Sequence, residues 1–265
     1  MPERMPTILD EIIVRTRADV TDAKSRISLA DLQAQWSDMP DCRDFTGALK
    51  AQPLGAVAEF KKASPSAGVI RNNLLPADVA RQYESGGARC LSVLTEKHYF
   101  QGDPKDLQAA RSAASLPVLR KDFIVDPWQV YETRVMGADA MLLIVCCLER
   151  SQLEELHGLA RSLGLSVLVE VHDEADLQCI EGLPFELVGI NNRNLHLMKT
   201  DLETSLRLRS QLPAGVVTVS ESGIRTHADV RRLESARFDA ILVGESLMGA
   251  EEPGKQLRQL LQGTA

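Results

Sequence analysis

Several charged and hydrogen-bonding side chains sit where short apolar runs end. Glu59 and Lys61 close the run that begins at Leu54. In an extended strand, residues two apart share a face, so both point the same way as Val57. An acid and a base aimed together can exchange protons; a salt bridge at the strand end explains the same pair. Lys121 ends Pro117-Val-Leu-Arg-Lys, and its ammonium is a candidate proton donor or simply a solvated end. Glu170 interrupts Val167-Leu-Val-Glu-Val171, where a carboxylate is costly unless paired or functional. Asn191 and Arg193 again share parity, and a guanidinium fork suits a carboxylate or phosphate, although a plain turn yields the same pattern. Ser220-Glu-Ser-Gly-Ile224 and Val243-Gly-Glu-Ser-Leu247 each place a glycine between an apolar run and a helical stretch. Backbone N–H groups there can face an oxyanion, and two such segments together favour a phosphate over two idle turn glycines.

Other chemistries lack support. HExxH, Walker and GxSxG patterns are absent, so metal hydrolysis, nucleotide hydrolysis and a serine triad have no basis. The five cysteines form no CxxC pair, and Cys146 and Cys147 lie in an apolar run where thiols act as small hydrophobes. Metal ligation is therefore not expected. His172 follows Glu170 at the same parity, and mouth-lining or packing accounts for it equally. Trp36 and Trp128 read as packing residues.

The elements that must hold these groups alternate regularly. Strand-like runs cover Leu54–Phe60, Cys90–Thr95, Pro117–Phe123, Asp139–Val145, Ser166–Val171, Glu186–Asn191, Val216–Glu221 and Asp239–Gly244. Neighbours are about 20–35 residues apart, the size of one strand–helix unit. Most are apolar throughout, as strands buried on both faces should be. Helix starts are expected at Asp103-Pro104, Asp126-Pro127, Ser151-Gln-Leu-Glu154, Thr200-Asp-Leu-Glu203 and Thr226-His-Ala-Asp229. Eight such units predict a single (β/α)8 TIM barrel, whose chemistry gathers at the carboxyl ends of the strands and whose phosphate sites favour the last two loops. A doubly wound sheet is the alternative, but no Gly-rich turn follows the first strand. Residues 1–53 break the alternation. Ile8, Leu9, Ile12, Ile13 and Val20 fall at helical spacing, so this part is expected to be a helical extension packed on the barrel of residues 54–265.

Composition sets outer limits. The 265 residues suffice for one large α/β domain, and 30 Lys+Arg against 37 Asp+Glu give a net charge of −7. That balance and the lack of a basic block argue against nucleic acid. The longest apolar run, Ala140 to Leu148, is too short to span a bilayer, and the first residues lack a signal pattern. A cytoplasmic protein that does not engage membranes is expected.

In order along the chain, the motifs are Glu59-Phe-Lys-Lys-Ala-Ser-Pro-Ser66, Pro117-Val-Leu-Arg-Lys-Asp-Phe123, Val169-Glu-Val-His172, Gly189-Ile-Asn-Asn-Arg-Asn-Leu195, Ser220-Glu-Ser-Gly-Ile224 and Val243-Gly-Glu-Ser-Leu-Met248. Together they closely resemble the indole-3-glycerol-phosphate synthase family of tryptophan biosynthesis, over essentially the whole chain. The resemblance implies a carboxy-lyase that cyclises, decarboxylates and dehydrates 1-(2-carboxyphenylamino)-1-deoxyribulose 5-phosphate to indole-3-glycerol phosphate, with no cofactor. It implies Lys121 as general acid, Glu170 as base and charge stabiliser, and Lys61 with Glu59 as a coupled pair. Asn191 and Ser222 join this catalytic set as polar contacts. Arg193 and Phe123 would hold the reacting region and the aryl ring. Ser64, Gly223, Gly244 and Glu245 would lie around the phosphate. A monomer or weak homodimer is expected. Residues 197–200 and Arg237-Phe238 depart modestly from the family pattern. Another sugar-phosphate barrel enzyme and a non-catalytic phosphometabolite-binding module remain the alternatives.

Overall fold

The computed structural model describes residues 7–50, 53–194 and 199–263. Leu195, the tail of the fourth motif, and the start of the atypical 197–200 stretch therefore fall outside the described residues, as do residues 1–6. Three helices come first: α1 (Ile8–Arg26), α2 (Leu29–Trp36) and α3 (Phe45–Lys50). Thr7 and Asp10 form a capping box on α1, and Ser28 with Asp31 does so on α2. Then strands and helices alternate: β1 (Gly55–Phe60), a hairpin of β2 (Ala63–Ser64) and β3 (Gly68–Val69), α4 (Pro76–Ser85), β4 (Cys90–Leu94), α5 (Pro104–Ala113), β5 (Val118–Lys121), α6 (Pro127–Val135) and β6 (Ala140–Ile144). A 3₁₀ turn, Val145–Cys147, leads to α7 (Arg150–Ser162), β7 (Ser166–Val171), α8 (Glu174–Ile180), β8 (Leu187–Asn191), α9 (Glu203–Arg209), β9 (Val217–Glu221), α10 (His227–Ser235), β10 (Ala240–Val243), α11 (Glu245–Met248) and α12 (Pro253–Gln262).

The strands other than β2 and β3 close in the order β1-β4-β5-β6-β7-β8-β9-β10, every pair parallel, and β10 returns to β1. This is the expected (β/α)8 barrel. Each expected strand is present, with ends within about two residues of the reading from sequence. Asp103, Asp126 and Thr226 cap their helices as expected. Two expected caps are absent. Helix α7 starts at Arg150, directly after the 3₁₀ turn, which leaves Ser151 inside its first turn and Glu149 at the cap without a side-chain bond. Helix α9 starts at Glu203, because Thr200 is drawn into a bridge with Arg193 and Asp201 Oδ1 instead receives the Glu203 N–H at 3.0 Å.

Strand parity divides the barrel into an inner and an outer core. Inside lie Val57, Leu119, Leu142, Leu168, Leu187, Val217, Val219 and Leu242, closed at the amino end of the strands by Phe45 and Leu49 of α3. The same parity carried to the carboxyl ends yields Glu59, Lys121, Glu170, Asn191 and Glu221. Apolar layers fill the barrel and a charged layer tops it. The neighbouring Arg120 points outward, where its Nη2 pairs with Asp122 Oδ2 at 3.1 Å and Glu132 Oε2 at 2.7 Å. Parity therefore decides which of two adjacent cations enters the mouth. Among the described residues, no helix is long and apolar enough to cross a membrane.

Candidate active site

A cavity of about 280 Å³ opens at the carboxyl ends of the strands. Its apolar wall includes Leu94, Phe100, Phe123, Ile144 and Leu242, and Ile8, Leu9 and Ile12 of α1 also line it. Lys24 pairs with Asp126 at 2.7 Å and Trp128 Nε1 donates to Ile27 O at 3.0 Å, so α1 is tethered at its far end to the start of α6. Its amino-terminal half meets the mouth for a packing reason, since Leu9 and Ile12 are buried there.

On the polar side, Glu59, Lys61, Lys121, Glu170, Asn191, Arg193, Ser222, Gly223, Gly244 and Glu245 all line the cavity with Phe123. Ser64 does not. It is buried in β2, where its hydroxyl accepts the Ala67 N–H at 3.2 Å. Glu59 Oε1 and Lys61 Nζ are 2.8 Å apart and both nearly buried. Burial alone would raise the Glu59 carboxyl, but the Lys61 and Lys121 ammoniums hold it below the usual range. Arg193 is fixed on three sides, by Glu245 Oε2 at 3.0 Å, Thr200 Oγ1 at 3.4 Å and the Ser66 hydroxyl.

Lys121 is the hub. Its Nζ lies 2.7 Å from Glu221 Oε2 and 3.3 Å from Glu170 Oε2. Burial would lower the ammonium, but the carboxylates of Glu221, Glu170 and Glu59 together raise it well above its ordinary value. The two glutamates are driven apart. Burial would raise Glu170, yet Lys121, His172 and Asn191 hold it far below the normal range. Glu221 is buried too and faces the Glu170 charge, with Lys121 as its counterweight, and is pushed up to about 8. At neutral pH, Glu170 therefore carries the charge although Glu221 lies closer to the ammonium. Such a divergence separates a base from a protonated acid.

Glu221 was missed among the sequence candidates although it lies inside the fifth motif. Its parity with Val217 and Val219 is the signal in the sequence that points to it. It lies beneath the cavity floor, 1% exposed. Two glycines make room for this layer. A Cβ on Gly189 would meet Glu221 Oε1 at 2.1 Å, and one on Gly244 would meet Glu59 Oε1 at 2.4 Å.

The family model for indole-3-glycerol phosphate synthase matches residues 9–260. The chain belongs to the indole-3-glycerol phosphate synthase family. An indole-3-glycerol phosphate synthase from Polaromonas naphthalenivorans is 50% identical over 260 residues, covering 97% of this chain and 99% of that one. Another from Aromatoleum aromaticum is 49% identical with the same coverage. Among solved structures, thiamine phosphate pyrophosphorylase from Pyrococcus furiosus has a TM-score of 0.58 at 15% identity, covering 82% of this chain and 96% of its own. A 3-hexulose-6-phosphate synthase from Salmonella typhimurium has a TM-score of 0.62 at 12% identity, covering 80% and 100%. These two share the barrel fold with this family.

Proposed function

We propose that this chain converts 1-(2-carboxyphenylamino)-1-deoxyribulose 5-phosphate to indole-3-glycerol phosphate, carbon dioxide and water, with Lys121 as the general acid of ring closure. The observation that carries the reading is the charged layer on the barrel's strand ends, roofed by apolar side chains. The aryl carbon bearing the substrate carboxylate attacks the ketone, and the oxygen takes a proton from Lys121. An ammonium already charged and fixed by the Glu170 carboxylate and the Glu221 carboxyl can deliver that proton without reorganising the site. Ring closure leaves an iminium within the substrate, and the electrons of the departing carboxylate flow into it. Glu170, ionised and facing this centre, stabilises the cation and accepts a proton as water leaves. Lys61, paired with Glu59, protonates the departing hydroxyl.

Binding falls to the remaining groups. Phe123 and the neighbouring aliphatic side chains cover the aryl ring, while Arg193, Asn191 and Ser222 hold the polar part of the reacting region. The backbone N–H groups around Gly223, Gly244 and Glu245 receive the phosphate, with Ser64 bracing the loop after β1. We further propose a helical extension of residues 1–53 on a barrel of residues 54–265, acting in the cytoplasm as a monomer or weak homodimer. The test is direct: supply the carboxyphenylamino substrate with a chelator present and follow indole fluorescence. Product formation is expected, and its absence with folded protein rejects the reading.

A further inference from the structure

Behind Glu170, on the side away from Lys121, lies a second chain of charged groups. His172 Nε2 sits 3.1 Å from Glu170 Oε1, as an ion-pair contact and not a linear hydrogen bond. On the other edge of the imidazole, Nδ1 lies 3.2 Å from Asp176 Oδ2. That same Oδ2 accepts the His172 backbone N–H at 2.8 Å, which fixes the start of the loop between β7 and α8. The three side chains are nearly buried, with relative exposures of 3%, 9% and 8% for Glu170, His172 and Asp176. His172 does not line the cavity, so it reaches a bound substrate only through Glu170.

We infer that His172, clamped by Asp176, is a positioning residue for Glu170: an imidazolium that keeps this carboxylate ionised and aimed into the cavity. The inference rests on Glu170 acting in the reaction proposed above. Lys121 is shared between two glutamates and sits on the cavity side, where it must give up a proton. If Lys121 were Glu170's only cation, donating that proton would strand a buried carboxylate. His172 supplies a cation that takes no part in the proton transfer. Burial would lower the imidazole, but Asp176, the Cys146 sulfur and Glu170 push it up to about 12, so it is charged at neutral pH. Asp176 prevents the ring from turning Nε2 away, as a carboxylate does for a catalytic or metal-bound histidine.

Other titratable groups surround this chain. Cys146 Sγ, on the turn after β6, lies 3.9 Å from His172 Nδ1. Cys147 beside it and Asp176 on α8 complete the outer face, while Lys121 and Glu221 face Glu170 from β5 and β9.

The experiment compares His172→Leu, His172→Gln, Asp176→Asn, Cys146→Ser and Glu170→Gln in the fluorescence assay, with kcat, KM, Tm and the pH profile of kcat for each. Removing the cation should lower kcat at least about tenfold in His172→Leu, the scale of a lost contact to a charged group, with KM within about twofold. Glu170 then protonates more easily, so the acidic limb of kcat moves to higher pH. His172→Gln, which keeps a donor near Glu170 without the charge, recovers part of kcat but retains the shifted limb. Asp176→Asn lies between wild type and His172→Gln, and Cys146→Ser matches wild type. Wild-type kcat and an unmoved limb in folded His172→Leu overturn the inference. So does a parallel fall in kcat and Tm, without a moved limb, that Gln does not relieve. Should the Leu variant not fold, an unmoved limb in His172→Gln is the refuting result. Glu170→Gln separates the two ideas: full activity there rejects the underlying reading, whereas a slow Glu170→Gln beside a normal His172→Leu rejects only the positioning.

Discussion

Replacing Glu221 by Gln tests the division of charge around Lys121 quantitatively. Glu221 is 1% exposed, and its carboxyl is pushed up to about 8 from an ordinary 4.5. The folded protein thus holds a proton that the unfolded chain releases, so stability falls as pH rises from about 4.5 to 8. At pH 7 that linkage costs about 3 kcal/mol. Gln has the same shape, keeps an oxygen for Lys121 and needs no proton. It also places an amide where Glu221 Oε1 has no hydrogen-bond partner, which costs about 1–2 kcal/mol. The net gain at pH 7 is about 1–2 kcal/mol, or roughly 2–8 °C in Tm for a domain of this size. The pH dependence is the sharper signature. The Tm difference between variant and wild type should grow from pH 5 to pH 8 and level off above it, measured by circular dichroism in matched buffers. In the fluorescence assay, Glu221→Gln should keep kcat within about tenfold of wild type at pH 7, where only about a tenth of Glu221 is ionised. Above pH 8 the wild type should slow as a second carboxylate charges beside Lys121, and the variant should not. A Tm difference that is flat between pH 5 and 9, with an unchanged alkaline limb, refutes the reasoning.

Three further substitutions probe the same layer. Gly189→Ala drives a Cβ to within 2.1 Å of Glu221 Oε1, so about 1–3 kcal/mol of stability should be lost; pairing it with Glu221→Ala should restore part, and strictly additive losses in denaturant melts count against the contact. Lys61→Met leaves Glu59 buried without its nearest cation, which should cost about 3 kcal/mol at pH 7. Glu59, held low in the wild type, then titrates higher, so the Tm deficit should shrink as pH falls toward 4; a deficit constant with pH contradicts this. Gly223→Ala forces a Cβ into a backbone with φ of 77° and to 2.6 Å from Thr200 Cγ2. With the phosphate on this loop, KM should rise about tenfold while kcat changes little, and inorganic phosphate should inhibit the variant less than the wild type.

The barrel was legible because its strands are buried on both faces, which writes them as short apolar runs between helix caps. Parity then carried the reading from Val57 to Glu59, and Glu170 stood out as a carboxylate interrupting an apolar strand. Misplaced helix starts at Ser151 and Thr200 reflect tertiary influence, from a 3₁₀ turn in one case and a bridge to Arg193 in the other. Glu221 was hidden for a different reason. A carboxyl in a strand reads alike whether it faces a cavity or lies under its floor, and only the assembled barrel sets it against Lys121. His172 reads from sequence equally as mouth-lining or as packing, because its two carboxylate partners come from a strand end and the following helix, and their approach depends on the loop between them. The closing of the mouth by α1 was written in Ile8, Leu9 and Ile12, but helical spacing does not say which surface an apolar stripe covers.

Lys121→Met bears most directly on the central claim. It keeps the methylene stem while removing the proton that ring closure needs. In the fluorescence assay with the carboxyphenylamino substrate, wild type should form indole-3-glycerol phosphate, and folded Lys121→Met should retain substrate binding with kcat at least about a hundredfold lower. Turnover by Lys121→Met within a few fold of wild type would contradict the account.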